Sequence, residues 1–172
     1  YPTALIPALR SLSRSVTSAA SSERSRLSAS ATEFIATLAS GLGGDFEPLI
    51  PGYIPTLLSI CARPNKVFVA RGKAAIRTII EQTQLPSILP HLVECVRDKS
   101  ATMRLIAIEG VLACLNSLNP PDLERESRAR EVESAIKFTA TDASGDVRKI
   151  SRQVFEAYTV LMPDRVQRCV AD

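Results

Sequence analysis

At 172 residues, 45% of them hydrophobic, the chain has enough apolar surface for a core, yet only 5% is aromatic and tryptophan is absent. That core is therefore drawn from Leu, Ile, Val and Ala, which suits stacked helices better than a sheet sandwich. The 21 basic and 18 acidic residues leave a formal charge of +3, too even to indicate nucleic-acid binding but leaning toward an acidic partner. No apolar run approaches the ~20 residues that cross a bilayer, and the opening YPTALIPALR lacks a signal-peptide layout, so no membrane partner is expected and a cytosolic or nuclear location is.

In chain order, Leu5, Ile6, Leu9, Leu12 and Val16 fall at the spacing of an amphipathic helix over residues 3–18. Small polar residues from Ser18 to Ser22 interrupt it, and Ser21 or Ser22 can cap the next helix, whose predicted inner face is Leu27, Ala31, Phe34, Ile35 and Leu38. Gly41-Leu42-Gly43-Gly44 ends that helix. Asp45 is the predicted cap of an element that Pro48, Pro51 and Pro55 make bent or broken. Arg63-Pro64-Asn65-Lys66 turns, and a helix resumes from Val67 to Gln82 with Val69, Ala70, Lys73, Ile76, Ile79 and Ile80 spread over it. Leu85-Pro86 opens the next pair, with Ile88, Leu89, Leu92, Val93 and Val96 as its stripe. After the turn Asp98–Ala101 comes a periodic helix, Thr102–Leu118. Asn119-Pro120-Pro121-Asp122 is a stop, and the charged run from Leu123 to Glu131 reads as an ion-paired, solvated helix start. Val132, Ile136 and Phe138 are predicted inward, Asp142–Gly145 turns, and Val147, Ile150, Val154 and Tyr158 line the partner helix. Pro163 precedes a short helix, Asp164–Ala171. The sum is an all-α chain of about four helix pairs plus a short C-terminal helix.

Catalysis has no foothold. Cys61, Cys95, Cys114 and Cys169 form no CxxC pair and have no histidine cluster beside them, so they are expected as reduced thiols and no metal site is expected. The single histidine, His91, sits in a helix without a nucleophile motif, and there is no phosphate-cradling glycine loop and no paired-carboxylate cleft. No enzyme activity and no cofactor are expected.

One phrase occurs twice. Asp98-Lys99-Ser100-Ala101-Thr102-Met103-Arg104 is answered 44 positions later by Asp142-Ala143-Ser144-Gly145-Asp146-Val147-Arg148, each copy between two apolar stretches. A period of about 44 lies in the range of HEAT and armadillo arrays, α-solenoids that stack helix pairs and display their turns along an edge.

Read with its flanks, the repeat becomes specific. Lys66-Val67, Gly72, the run from Ala75 to Thr83, Leu85-Pro86-Ser87-Ile88-Leu89-Pro90, Lys99-Ser100 and Arg104 together resemble the CLASP family of microtubule regulators, and within it the second TOG domain, a HEAT-repeat paddle. Arg24-Ser25, the run Leu38 to Gly43, and Asp142 with Ser144 and Arg148 agree with it. The likeness covers nearly the whole chain as one TOG-like domain and is most specific between residues 60 and 110.

The resemblance implies that the turns within each pair form an edge facing tubulin, made here by Ser22–Ser25, Arg63–Lys66, Lys99–Ala101 and Ala143–Gly145. It places Lys66, Lys99 and Arg24 foremost as tubulin-binding cations, with Ser25, Asn65, Ser100 and Ser144 supplying hydrogen bonds. Arg104 and Arg148 have two readings: contact with tubulin, or ion pairs with Asp98 and Asp142 of their own turns. The resemblance further implies suppression of catastrophe and promotion of rescue, on the cytoskeleton and mitotic spindle, at the kinetochore or in the nucleus during division. The isolated domain is expected to be monomeric and the full-length protein dimeric through other regions. Two departures accompany it: the first HEAT unit of a TOG domain is not matched, and the repeat-style arginine of the inner helix is replaced by Ala29 and Ala70 in the first two units. The alternative is a helical-repeat scaffold that does not bind tubulin directly.

Overall fold

The computed structural model describes residues 2–170, the side chains of Pro2, Arg168 and Cys169 excepted, so the fourth thiol lies outside the described residues, as does Ala171, the predicted last residue of the terminal helix. Every described element is helical. Ten α-helices follow in order: α1 (Pro2–Ala20), α2 (Ser25–Leu42), α3 (Ile50–Cys61), α4 (Lys66–Thr83), α5 (Leu89–Cys95), α6 (Ala101–Ser117), α7 (Pro120–Leu123), α8 (Glu126–Thr139), α9 (Gly145–Leu161) and α10 (Val166–Val170). Three 3-10 segments, Gly43–Leu49, Pro86–Ile88 and Pro163–Arg165, lead into α3, α5 and α10. The four pairs are α1/α2, α3/α4, α5/α6 and α8/α9. They sort into two compact units, Tyr1–Ser87 and Ile88–Asp172.

Each unit repeats one packing scheme. In the first, α1 lies against α2 and α3 against α4, while α1 also touches α3 and α2 touches α4. In the second, α5 pairs with α6 and α8 with α9, with α5 on α8 and α6 on α9. First helices thus stack on first helices and second on second, the layering of a helical-repeat solenoid, in which a pair buries its apolar faces only by having neighbours. The core is aliphatic, as composition requires: Ile35, Leu49, Ile50, Ile54, Leu57, Ile79 and Ile80 in the first unit, and Leu89, Leu92, Ile108, Val111, Val132 and Val154 in the second. Phe46 and Tyr53 stack inside the first, their centroids 6.1 Å apart.

The glycines and prolines act where the sequence places them. Gly43 takes φ +53° at the end of α2, a conformation that costs a side-chain-bearing residue about 1 kcal/mol or more. The prolines of the third element give a 3-10 segment and then α3, so Asp45 lies inside that segment and caps nothing. Gly72 lets α4 approach α3: a Cβ there would stand 2.7 Å from Cys61 Sγ and 3.0 Å from the Leu57 carbonyl oxygen.

Several predicted inner faces are rotated. Of the α2 residues, Ala31 and Ile35 are buried but Leu27 and Phe34 are exposed, and Ser28, Thr32 and Ala39 complete the face. Ser28 can be there because its Oγ donates to the Ala20 carbonyl and Thr32 Oγ1 donates to that of Ser28, which satisfies hydroxyls that burial would otherwise penalise. Leu5 and Leu12 of α1 are exposed, Leu9 alone being buried of that stripe. Phe68 is buried in α4 where the sequence reading named Val69 and Ala70. Phe138 faces outward from α8. Ile150 is only half-buried in α9. The stop at Asn119–Asp122 folds as the short α7.

Candidate functional site

The turns at issue occur two to a unit, and arginines lace each pair together. In the first unit Arg63 donates from Nη1 to the Ser22 carbonyl (3.1 Å), from Nη2 to the Ser21 carbonyl, and lies 3.7 Å from Glu23. Arg71 donates from Nη1 to the carbonyl and the Oγ of Ser25, at 3.0 and 3.1 Å. Both guanidinium carbons also lie over the buried Phe68 ring, at 4.7 and 5.7 Å from its centroid, within cation–π range. The second turn thus grips the first. Counted from the N-caps Asn65, Ser100 and Ser144, the place of Arg104 and Arg148 falls on Val69 in α4, one before the expected Ala70, and Arg71 reaches back to the preceding turn, whereas those two bond their own.

In the second unit the grip runs forward. Arg104 Nη1 donates to the carbonyls of Asp98 and Lys99, each at 3.0 Å, while its Nε and Nη2 reach the carboxylate of Asp142 in the next turn at 2.7 and 3.0 Å. This corrects the expected pairing of each arginine with the aspartate of its own turn. The aspartates instead hold their own backbone: Asp98 Oδ1 accepts the Ser100 N–H at 2.7 Å, and Asp142 Oδ1 accepts that of Ser144 at 2.8 Å. A two-pronged Arg–carboxylate bond is among the stronger polar contacts available, and with 15% and 5% of the two side chains exposed it is largely shielded. The Arg104 guanidinium holds the Asp142 carboxyl below the usual carboxylate range, overcoming the opposing pull of burial.

Arg148 repeats half of this arrangement. Its Nη1 donates to the carbonyls of Asp142 and Ala143 at 2.6 and 3.0 Å, but no carboxylate meets its Nε and Nη2 among the described residues. Two arginines alike in sequence therefore differ in what they have left to give.

The remaining predicted residues divide between scaffold and surface. Asn65 is the N-cap of α4, its Oδ1 accepting the Val67 N–H at 2.9 Å, and Ser100 caps α6 by accepting from Met103 N–H at 3.4 Å. Ser25 is held by Arg71, and Ser144 occupies the N-cap position of α9 without a side-chain bond. Ser21 and Ser22 do not cap α2. Arg24 stands at that position, and its N–H donates to Ser22 Oγ at 3.1 Å. The side chains of Arg24, Lys66 and Lys99 are exposed and engage no hydrogen bond or ion pair among the described residues. Three solvated cations thus sit on turns whose other polar groups are committed to holding shape. Among the described residues no group of three His, Cys, Asp or Glu side chains could hold a metal, and no helix is long and apolar enough to cross a membrane.

Comparison with known proteins places this architecture. Residues 1–172, the entire chain, match the family described as CLASP N terminal. The chain belongs to the CLASP family. This CLASP region is 24% identical over 163 residues to protein stu-1 of Neurospora crassa, covering 93% of the chain and 14% of that protein. It is 26% identical over 147 residues to the CLIP-associated protein of Arabidopsis thaliana, and 27% over 149 residues to CLIP-associating protein 1 of Xenopus tropicalis, covering 84% and 87% of the chain and 10% of each relative. It therefore spans a tenth to a seventh of the length of these relatives. Its fold also resembles the crystal structure of an engineered protein, with TM-score 0.54 and 15% identity over 93% of this chain and 67% of the other, a likeness of fold alone.

Sequence reasoning missed three parts of the site: the forward reach of Arg104 to Asp142, the lacing role of Arg63, and Arg71 altogether. Arg71 carries no signal in the repeat, because its bond to Ser25 depends on the packing of α4 against α2.

Proposed function

We propose that this CLASP region is a tubulin-binding TOG domain, the second of its protein, and that each unit meets tubulin through its pair of laced turns. Lys66, Lys99 and Arg24 are the contact cations, Arg148 adds the open side of its guanidinium, and Asn65, Ser100, Ser25 and Arg104 shape the turns. The observation that carries this reading is the exposure of Lys66 and Lys99, each beside a helix N-cap and neither meeting a carboxylate. An acidic protein such as tubulin gains attraction and association rate from fixed, solvated cations without needing a pocket. Within the longer protein the domain suppresses catastrophe and promotes rescue, stabilising microtubules of the mitotic spindle.

The test is co-sedimentation with microtubules alongside gel filtration with free tubulin, for the wild type and for the double variant Lys66→Glu, Lys99→Glu. The wild type is expected to bind in at least one assay and the double variant in neither, with circular dichroism unchanged because both side chains are exposed. Undiminished binding by the double variant refutes the site, and wild-type binding to neither form of tubulin supports a scaffold that acts without direct tubulin contact.

A further inference from the structure

Phe138 carries chemistry that the turns do not use. It projects from α8 of the second unit with 45% of its surface exposed, apolar area that a ligand covering it would take out of water. Arg97, in the turn after α5, lies over the ring with its guanidinium carbon 5.3 Å from the centroid and donates to Ser134 Oγ at 3.4 Å. It meets no carboxylate among the described residues. Along α8, beside the turn that carries Arg97, these groups line an open groove of about 430 Å³ with Arg130, Glu133 and Lys137.

The charge of that groove is one-sided. Its single acid, Glu133, is already committed: Oε1 accepts from Tyr158 Oη at 2.7 Å and from Arg165 Nε at 2.8 Å. Arg130 is paired with Glu126 at 2.7 Å, yet 74% of its side chain is exposed, and exposed pairs of this kind exchange partners at little cost. A basic rim around an aromatic ring asks for a ligand with carboxylates and one apolar side chain. Single-stranded nucleic acid fits less well, because no second aromatic lines the groove to stack a successive base.

We propose that this groove along α8 is a docking site for an extended acidic peptide, whose carboxylates meet Arg97 and Arg130 while an apolar side chain packs on Phe138. The site is separate from the laced turns and stands or falls without them. An extended ligand suits an open groove with cations on either side of the ring, and a ring already braced by Arg97 loses little freedom when covered.

The experiment is fluorescence anisotropy on the whole chain with a labelled peptide of six glutamates around a central leucine, in about 50 mM salt so that charge contacts are not screened away. Arg97→Gln is expected to weaken binding about fivefold or more, the loss of one charge-assisted contact, and Phe138→Ser about threefold or more with no change of charge. Replacing the peptide's leucine by serine should cost the wild type the same factor and the Phe138→Ser variant nothing further, a cycle whose wild-type arm needs no altered protein. Lys149→Glu, on α9 and outside the groove, should change affinity less than about twofold, and Lys66→Glu with Lys99→Glu likewise, which separates this site from the turns. The proposal is overturned by absence of binding, by a leucine that makes no difference to the wild type, by Lys149→Glu weakening binding as much as Arg97→Gln, or by an oligothymidine that competes as well as the peptide.

Discussion

Asn65 lies one residue from a proposed tubulin contact, yet its side chain is turned to the backbone, and the two roles separate experimentally. Its Oδ1 accepts the Val67 N–H at 2.9 Å, from extended dihedrals of φ −73° and ψ 114°. That satisfies one of the four N–H groups that a helix start leaves unpaired. Asn65→Ala deletes the acceptor while solvent can still reach the freed N–H, so the cost is that of an exposed cap, about 1 kcal/mol. Asn65→Gly lets water do the same work and should cost only about a few tenths of a kcal/mol. Asn65→Asp keeps the acceptor and adds a negative charge at the positive end of the α4 dipole, worth about 0.3–1 kcal/mol at low salt. Stability should therefore fall in the order Asp, Asn, Gly, Ala, spanning about 1.5 kcal/mol in all, or roughly 3–6 °C in Tm for a chain of this length. Urea melts followed by circular dichroism resolve such differences, and microtubule co-sedimentation of the same four proteins provides the second axis. Affinity for microtubules should stay within about twofold for Ala and Gly, since Lys66 keeps its charge. An alanine variant as stable as the wild type would refute the cap, and one that loses microtubule binding while staying folded would make Asn65 a contact.

The two arginines of the repeated phrase should likewise part company: both glutamine variants lose the bonds to their own turn's carbonyls, but Arg104→Gln lowers the melting temperature further because it also breaks the bond to Asp142, whereas Arg148→Gln weakens tubulin binding more, as paired melts and pull-downs can show. Gly72→Ala should destabilise by about 1 kcal/mol net, the overpacking against the Leu57 carbonyl exceeding the helix-propensity gain. Gly110→Ala should be milder, since the new methyl meets only the Leu92 side chain, which can rotate, and chemical denaturation of the two variants tests their order. Hydrogen bonds from Arg165 and Arg130 lower the Glu126 carboxyl to about 2, below the ~4.3 of an unfolded glutamate. Its contribution is thus complete above the unfolded value and is lost as pH falls from about 4 toward about 2. Glu126→Gln should therefore narrow its stability gap from the wild type on going from pH 6 to pH 2.5, as thermal melts at the two values would reveal.

What could be read beforehand followed from local rules. Helix existence, the stop at Gly43 and the turns at Asn65, Ser100 and Ser144 depend on a few neighbouring residues, and each is where propensity put it; of the three prolines expected to bend or break the third element, Pro48 lies in the 3-10 segment, while α3 runs on through Pro51 and Pro55. Facing was harder. Phe34, Phe138 and Leu27 were assigned inward by hydrophobicity, but the pattern cannot say which of several apolar stripes a neighbouring helix will cover, and small or self-satisfied residues such as Ala39, Ser28 and Thr32 took the interior instead. Partner choice was hardest of all. Asp98 and Asp142 are equally spaced from Arg104 and Arg148 in sequence, and only the stacking of α6 on α9 brings the Asp142 carboxylate to Arg104.

That stacking gives the lysine turn a property of its own. Lys99 is held through its carbonyl by a guanidinium whose other side is clasped by a carboxylate 38 positions further along the chain, so the posture of the tip is a joint product of two repeats. Residues 98–104 transplanted onto a foreign helical pair would carry the lysine but leave its bearing behind. Diversification of such a turn is consequently coupled: its tip residue is free to change, while the arginine below it and the aspartate next door can be altered only as a pair.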